Sequence, residues 1–272
     1  MQDLVYLASD DLEGRGTGTV GNRKARDYII NKFTDLDVTS IGASYEQPFA
    51  FHSTGPVTKG VNIVGKIDGV SEEVIVVSAH YDHLGKRKNK IYNGADDNAS
   101  GVAGLLALAT YFSINKPYYT LIFCAFDAEE IGLKGAKYFV SNLPVKENQV
   151  LLNINMDMIA RDDNKRIYIA GTYHYPKLVP LLEKVIEKSP AKALLGNDQP
   201  SDGYNDWTFS SDHAPFHKIG IPFLYFGVED HPDYHRHTDT SDKINADFFA
   251  GNVMLVLEVL HAVNEYENAQ YR

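Results

Sequence analysis

"YTLIFCAFDAEEIG", residues 119–132, changes character at Asp127. Up to Phe126 it is an unbroken apolar run, rich in aromatic and branched side chains, which is the pattern of a strand buried on both faces. Beyond that point Asp127, Glu129 and Glu130 fall within four residues. Acidic groups crowded at a strand's exit repel one another and are costly to dehydrate, so something must compensate them.

Outward from this stretch, strand-like runs alternate with helical patterns. "EEVIVVSAH" (72–80), "QVLLNINMDMIA" (149–160) and "IPFLYFG" (221–227) read as further strands. "NRKARDYIINKFTDL" (22–36), "NASGVAGLLALATYF" (98–112), "GLKGAKYFVSNL" (132–143), "YPKLVPLLEKVIEKS" (175–189) and "NADFFAGNVMLVLEVLHAVNEY" (245–266) read as helices. The alternation predicts a largely parallel sheet covered by helices. No repeat, low-complexity tract or composition break marks a linker, so one domain over 1–272 is expected.

Composition narrows the function classes. The chain has 272 residues, 44% hydrophobic and 23% charged, enough for one large core. A net charge of -10 at pH 7 argues against a nucleic-acid surface, and the one tight basic run, "KRKNK" at 86–90, reads as a solvated loop. The single cysteine, Cys124, excludes an internal disulfide and reads as a small core residue. No apolar stretch is expected to approach the ~20 residues that span a bilayer, and "MQDLVYLASD" lacks the charged-then-apolar pattern of a signal peptide.

Sheets of this class bind ligands where their strands end. The strand ending at residue 80 exits through "SAHYDHLG", where His80 can ligate a metal and Asp82, two residues on, can orient its imidazole. In "YNGADDNASG", Asp96 and Asp97 precede a helix; an N-cap needs one carboxylate and leaves the other unexplained. "NINMDMIA" sets Asp157 among Met and Ile, and "HPDYHRHTDTSDKI" offers His231, His235 and His237. Histidines and carboxylates without a thiolate fit zinc with open positions for water. The excess of carboxylates favours two ions sharing a bridging ligand. Zinc then compensates the acidic exit, with Glu130 on the metal and Glu129 free as a general base.

At these residues the sequence resembles zinc aminopeptidase family 28 of the metallopeptidases, in clan MH. The match runs through "YLASDDLEGRGTGTVGNRKARDYI", "SAHYDHLG", "NGADDNASG", "FDAEEIGLKGA", "NMDMIAR", "SSDHAPFHKIGIP" and "DYHRHTDTSDKI", in one order over essentially the whole chain. The resemblance implies a three-layer α/β/α sandwich around a mixed, mostly parallel sheet, two zinc ions per chain, peptide substrates, and a periplasmic or secreted protein whose leader is not in this chain. It places His80 and Asp157 on one zinc, Glu130 and His235 on the other, and Asp97 between them, with Asp96 a neighbour. It makes Glu129 the base and acid, Asp82 the partner of His80, and Tyr234 a donor to the oxyanion; the family's spacing prefers His235 over His237. The stretch "QPFAFHSTGPVTKGVNIVGKIDG" (47–69) bridges directly where many relatives insert a protease-associated domain, and "GNDQPSDGYNDWTFSSDHAPF" (196–216), with Trp207, is expected to line the substrate pocket.

A glutaminyl cyclase is the alternative enzyme: it shares the clan's fold and most of the metal motifs but uses one zinc, and usually carries tryptophan where Tyr234 stands. A carboxypeptidase or other amidohydrolase of the clan is a further possibility. A binding module on an inactive scaffold would need no unligated base beside a metal, which argues against that class.

Overall fold

The computed structural model describes residues 1–52 and 57–268; residues 53–56, inside the connecting stretch quoted above, lie outside the described residues. Helices α1 (Gln2–Leu7) and α2 (Val20–Asp35) precede strands β1 (Thr39–Ser40), β2 (Glu46–His52), β3 (Val57–Ile67) and β4 (Ser71–His80). A small hairpin of β5 (Gly85–Arg87) and β6 (Lys90–Tyr92) leads to α3 (Gly101–Ile114), β7 (Tyr119–Phe126), α4 (Lys134–Ser141) and β8 (Val150–Met156). Then come β9 (Arg166–Ala170), α5 (Val179–Lys188), β10 (Lys192–Leu195), α6 (Ala214–Lys218), β11 (Phe223–Gly227) and α7 (Ala246–Asn268).

The main sheet has the order β1-β3-β7-β4-β8-β11-β9-β10, with β2 also paired to β3. Its centre, β7-β4-β8-β11, is parallel throughout, while β3 and β9 join its two sides antiparallel. Alternate side chains of each central strand enter different cores, as the two-residue period of a strand requires. Ile75, Val77, Leu121, Phe123 and Ala125 pack with α2, α3 and α7. Val74, Val76, Ile122, Cys124 and Phe126 pack with Ala136 and Phe139 of α4 and Phe216 of α6. The result is helix, mixed and mostly parallel sheet, helix. Cys124 is a free, buried residue of the second core.

Local chemistry sets the element ends. The Thr19 hydroxyl accepts the Asn22 N–H (3.2 Å) and starts α2. Helix α3 is buried on nearly all sides, which its Gly/Ala/Leu composition permits. It begins at Gly101 rather than at residue 98, because Ala95–Ser100 forms a separate wide turn containing a cis Asp97–Asn98 peptide bond. The strand expected to reach residue 160 stops at Met156.

Two expectations fail. The "KRKNK" run is the exposed β5–β6 hairpin rather than a loop, turned at Lys88 and Asn89, both with positive φ. An apolar stretch of bilayer-spanning length does occur: Ala246–Asn264 within α7 is 19 residues with mean hydropathy 1.5, long and apolar enough to cross a membrane by length and composition. Its glycine, asparagines and few charges interrupt the apolar run in the sequence. In the fold Leu255, Val256, Val259 and Leu260 of this helix are fully buried in the larger core.

Candidate metal centre

The four parallel central strands end at one edge of the sheet, and each delivers acidic or imidazole groups there. Strand β4 ends on His80, β7 leads to Asp127, Glu129 and Glu130, β8 to Asp157, and the chain after β11 to His235. Asp97 arrives from the turn before α3, beside β4. Two groups result: His80, Asp97 and Asp157 lie together, and His83, Asp97 and Glu130 lie together, each with ligand atoms within 4.8 Å of one another.

His235 stands beside the second group, and the spacing of His80, Asp97 and Asp157, and of His235, Asp97 and Glu130, fits metal ligation. His80 Nε2 lies 3.3 Å from Asp157 Oδ1 and 3.5 Å from Asp97 Oδ1. His235 Nε2 lies 3.2 Å from Asp97 Oδ2 and 3.2 Å from Glu130 Oε2. Two ligand atoms on one tetrahedral zinc, each bonded at 2.0–2.1 Å, stand about 3.3 Å apart. Asp97 therefore turns one oxygen to each group, and its Oδ2 is buried without a hydrogen-bond partner. The donor set of imidazole and carboxylate, without thiolate, suits zinc. The residues present fit a dinuclear site.

Hydrogen bonds hold these side chains in place. The Nδ1–H of His80 donates to the Asp82 carbonyl oxygen (3.1 Å), which leaves Nε2 facing the carboxylates. The Asp82 carboxylate lies 3.7 Å from the same nitrogen, but its hydrogen bonds come from the Glu129 N–H (3.0 Å), the Glu130 N–H (3.4 Å) and the Thr17 hydroxyl (3.3 Å). Asp82 thus joins the β4 exit to the β7 exit. Asp157 Oδ2 accepts the Ser211 hydroxyl (2.7 Å), which in turn accepts from Asn155 (3.0 Å).

Asp127 takes no part in either group: its oxygens accept from Thr17 (3.0 Å), Asn22 (3.0 Å) and the N–H groups of Val61 (3.0 Å) and Ala128 (2.9 Å), pinning the N-terminal segment and β3 to the end of β7. Asp96 and Asp97 point apart, and neither caps a helix; Asp96 Oδ1 accepts the Ala160 N–H (2.8 Å) and Oδ2 faces His231 (3.2 Å). His237 Nε2 lies 2.7 Å from Lys90 Nζ, away from both groups. Sequence spacing passes over His83 and Ser211. Only a second histidine three residues after His80, and the serine inside "SSDHAPF", hint at them.

The electrostatics separate the paired glutamates. Burial would raise Glu130, but hydrogen bonds from His235 and His83 hold its carboxyl well below the usual range. Burial, reinforced by Asp212 and Asp157 and opposed by His80, pushes Glu129 well above that range. Both face a cleft of about 650 Å3 with Asp97, Asp157, Met158, Tyr204, Trp207, Phe209, Tyr225, Tyr234 and His235 in its walls. Residues 204–210 of the expected pocket loop are thus well represented there. The Tyr234 ring stacks on His235 (3.9 Å between centroids), and burial followed by Asp97 and Asp157 raises its phenol far above 10, keeping the hydroxyl protonated.

Parallel strands that converge on two histidine–carboxylate groups sharing one aspartate define an α/β protein with a candidate dinuclear metal site. A family model described as peptidase family M28 matches residues 62–260, more than half of the chain, and the chain belongs to this metallopeptidase family. It is 31% identical over 181 residues to "Aminopeptidase YwaD" of Bacillus subtilis, covering 64% of this chain and 37% of that protein. The fold matches the LapA aminopeptidase of Legionella pneumophila at TM-score 0.75 and 21% identity, covering 97% of this chain and 70% of that one. It matches a glutaminyl cyclase of an Acidobacteriales bacterium at 0.79 and 21%, covering 97% and 94%. The chain spans 48% and 37% of the length of two curated relatives that it matches.

Proposed function

We propose that the protein is a two-zinc aminopeptidase that removes N-terminal residues from peptides. The observation that carries this reading is the placement of Asp97, with Oδ1 toward His80 and Oδ2 toward His235, between two otherwise separate sets of ligands. A one-zinc enzyme would draw on only one of these two oxygens, so the shared placement favours two ions. In the proposal His80 and Asp157 hold one ion, Glu130 and His235 the other, and Asp97 both. Zinc held by these residues would supply Lewis-acid polarisation of the scissile carbonyl and a lowered pKa for bound water.

The chain supplies the remaining steps. Glu129, whose carboxyl has no hydrogen-bond partner among the described residues, accepts the water's proton and delivers it to the departing amine; such positioned transfer is worth about 10²- to 10⁴-fold. Its raised affinity for a proton suits both halves of that task. Tyr234 donates its hydroxyl to the oxyanion. Trp207, Phe209 and Met158 give the cleft an apolar wall for the side chain of the residue removed. A periplasmic or secreted location belongs to the same proposal and rests on resemblance alone.

The fold match to a glutaminyl cyclase supports the second reading, which one experiment separates. Zinc-loaded protein is incubated with aminoacyl chromogenic amides and with a peptide bearing N-terminal glutamine, and amine release and ammonia release are followed separately. Amine release from the amides is expected. Ammonia and pyroglutamate without amide hydrolysis would replace the peptidase by the cyclase.

A further inference from the structure

We propose that His83 is a positioning residue which occupies one oxygen of Glu130, so that Glu130 offers only the other oxygen to a metal ion. The inference rests on the two-zinc reading and goes beyond it, because His83 has no part in the ligand set above.

Distance decides between ligand and hydrogen-bond donor. His83 Nδ1 lies 2.5 Å from Glu130 Oε1, far shorter than the roughly 3.3 Å between two ligands of one zinc and at the short side of the roughly 2.7–2.9 Å of a hydrogen bond to a carboxylate. Its separation from Asp97 Oδ2 is 3.7 Å. The two oxygens of Glu130 are thereby divided: Oε1 accepts from His83, and Oε2 stands at ligand spacing, 3.2 Å, from His235 Nε2.

The ring is built into this orientation. Its side chain is fully buried, and its Nε2 has no hydrogen-bond partner. A hydrogen on Nδ1 has Glu130 to receive it, whereas one on Nε2 would be buried without an acceptor. The His83 backbone N–H donates to the Arg15 carbonyl (3.3 Å), and Gly94, at φ +58°, leaves room for the ring: a Cβ there would come within 2.6 Å of His83 carbon atoms. Glycine at the start of "GADDN" is therefore tied to the histidine of "HYDHLG" as well as to its own turn.

A carboxylate bound through one oxygen leaves a coordination position that a two-oxygen grip would fill, and that vacancy is where water or a substrate amine can enter. Partners of metal ligands of this kind typically carry about 10- to 100-fold in metal affinity.

The test uses full-length His83→Leu and His83→Asn, the latter offering an amide N–H near the position of Nδ1. Folding is checked by circular dichroism. Zinc dissociation constants for both sites are measured by competition with a chromogenic chelator, and the cobalt-loaded proteins are compared by visible absorption, which weakens as coordination number rises. His83→Leu should retain two equivalents of zinc, weaken the lower-affinity site by about 10- to 100-fold and lower the cobalt absorption; His83→Asn should recover most of both. Wild-type affinity and spectrum in His83→Leu would reduce His83 to packing, and loss of a whole zinc equivalent in both variants would make it a ligand; either overturns the proposal. If the wild type itself binds one equivalent, the two-zinc reading falls, and the proposal with it.

Discussion

Replacing Arg15 by methionine should destabilise the protein by about 3 kcal/mol, and the structure supplies the arithmetic. The guanidinium is 1% exposed and donates to four carbonyl oxygens, those of Tyr81 (2.8 Å), Leu7 (2.5 Å), Asn93 (2.6 Å) and Gly94 (2.9 Å). Glu13, Gly14 and Arg15 all take positive φ to bring it there. It ties the loop after β4 to the turn that carries Asp97. Hydrogen bonds to a charged donor are worth about 1.5 kcal/mol each at the low end, roughly 6 kcal/mol for the set. Against this, burial, only partly offset by the neighbouring carboxylates, draws the group from 12.5 to about 10, a net expense of about 3 kcal/mol that methionine does not incur.

The balance corresponds to a fall in Tm of about 6–12 °C for a chain of this size. Arg15→Lys keeps the charge but can serve no more than three of the carbonyls, so it should melt between the two. The cation also offsets Asp97, Asp239, Asp82 and Glu130. Zinc supplies positive charge to the same cluster, so the loss should be larger in metal-free protein than in zinc-loaded protein. The assay is thermal unfolding by circular dichroism at fixed zinc and again with chelator. A methionine variant that melts with the wild type, or a lysine variant that melts no higher than the methionine one, would refute the reasoning.

Glu129→Gln should keep its zinc and fold while kcat falls by about 10²- to 10⁴-fold, whereas Glu130→Gln should lose metal affinity as well; elemental analysis alongside steady-state kinetics distinguishes them. Tyr234→Phe should leave KM near its original value and lower kcat by about 10- to 1000-fold, since the lost bond forms mainly in the transition state; an unchanged kcat would assign the tyrosine to packing. In metal-free protein burial opposes the charge on His235, but its close contacts with the Asp97 and Glu130 carboxylates prevail and raise it to about 10. Its folded-state pKa exceeds the unfolded value of 6.5, so its contribution to stability is complete below pH 6.5 and disappears as pH rises through 10. Urea unfolding of metal-free protein should show this decline, and zinc binding, which must displace the proton, should weaken as pH falls.

The parts of the fold legible in sequence are those where one physical demand dominates. Strands β4, β7, β8 and β11 are buried on both faces, so each reads as a continuous apolar run, and their shared direction makes the four exits informative together. Strand β2, by contrast, alternates exposed and half-buried positions, and β10 is a four-residue edge; neither carries a strong pattern. At the site, residue types signal metal chemistry, but direction does not follow from spacing. Asp127 stands two residues before Glu129 in sequence and yet turns to Thr17 and Asn22, donors that only the fold brings to it from the N-terminal segment. His83 is hidden for the same reason: its partner Glu130 is 47 positions away, and only the alignment of β4 beside β7 brings them together.

The most direct test is a zinc titration of metal-free protein during continuous measurement of N-terminal amide hydrolysis, with bound metal counted at each step. Two equivalents should bind, and full peptidase activity should require the second. Full activity at one equivalent, or saturation at one with ammonia released from N-terminal glutamine, would contradict a dinuclear aminopeptidase centre bridged by Asp97.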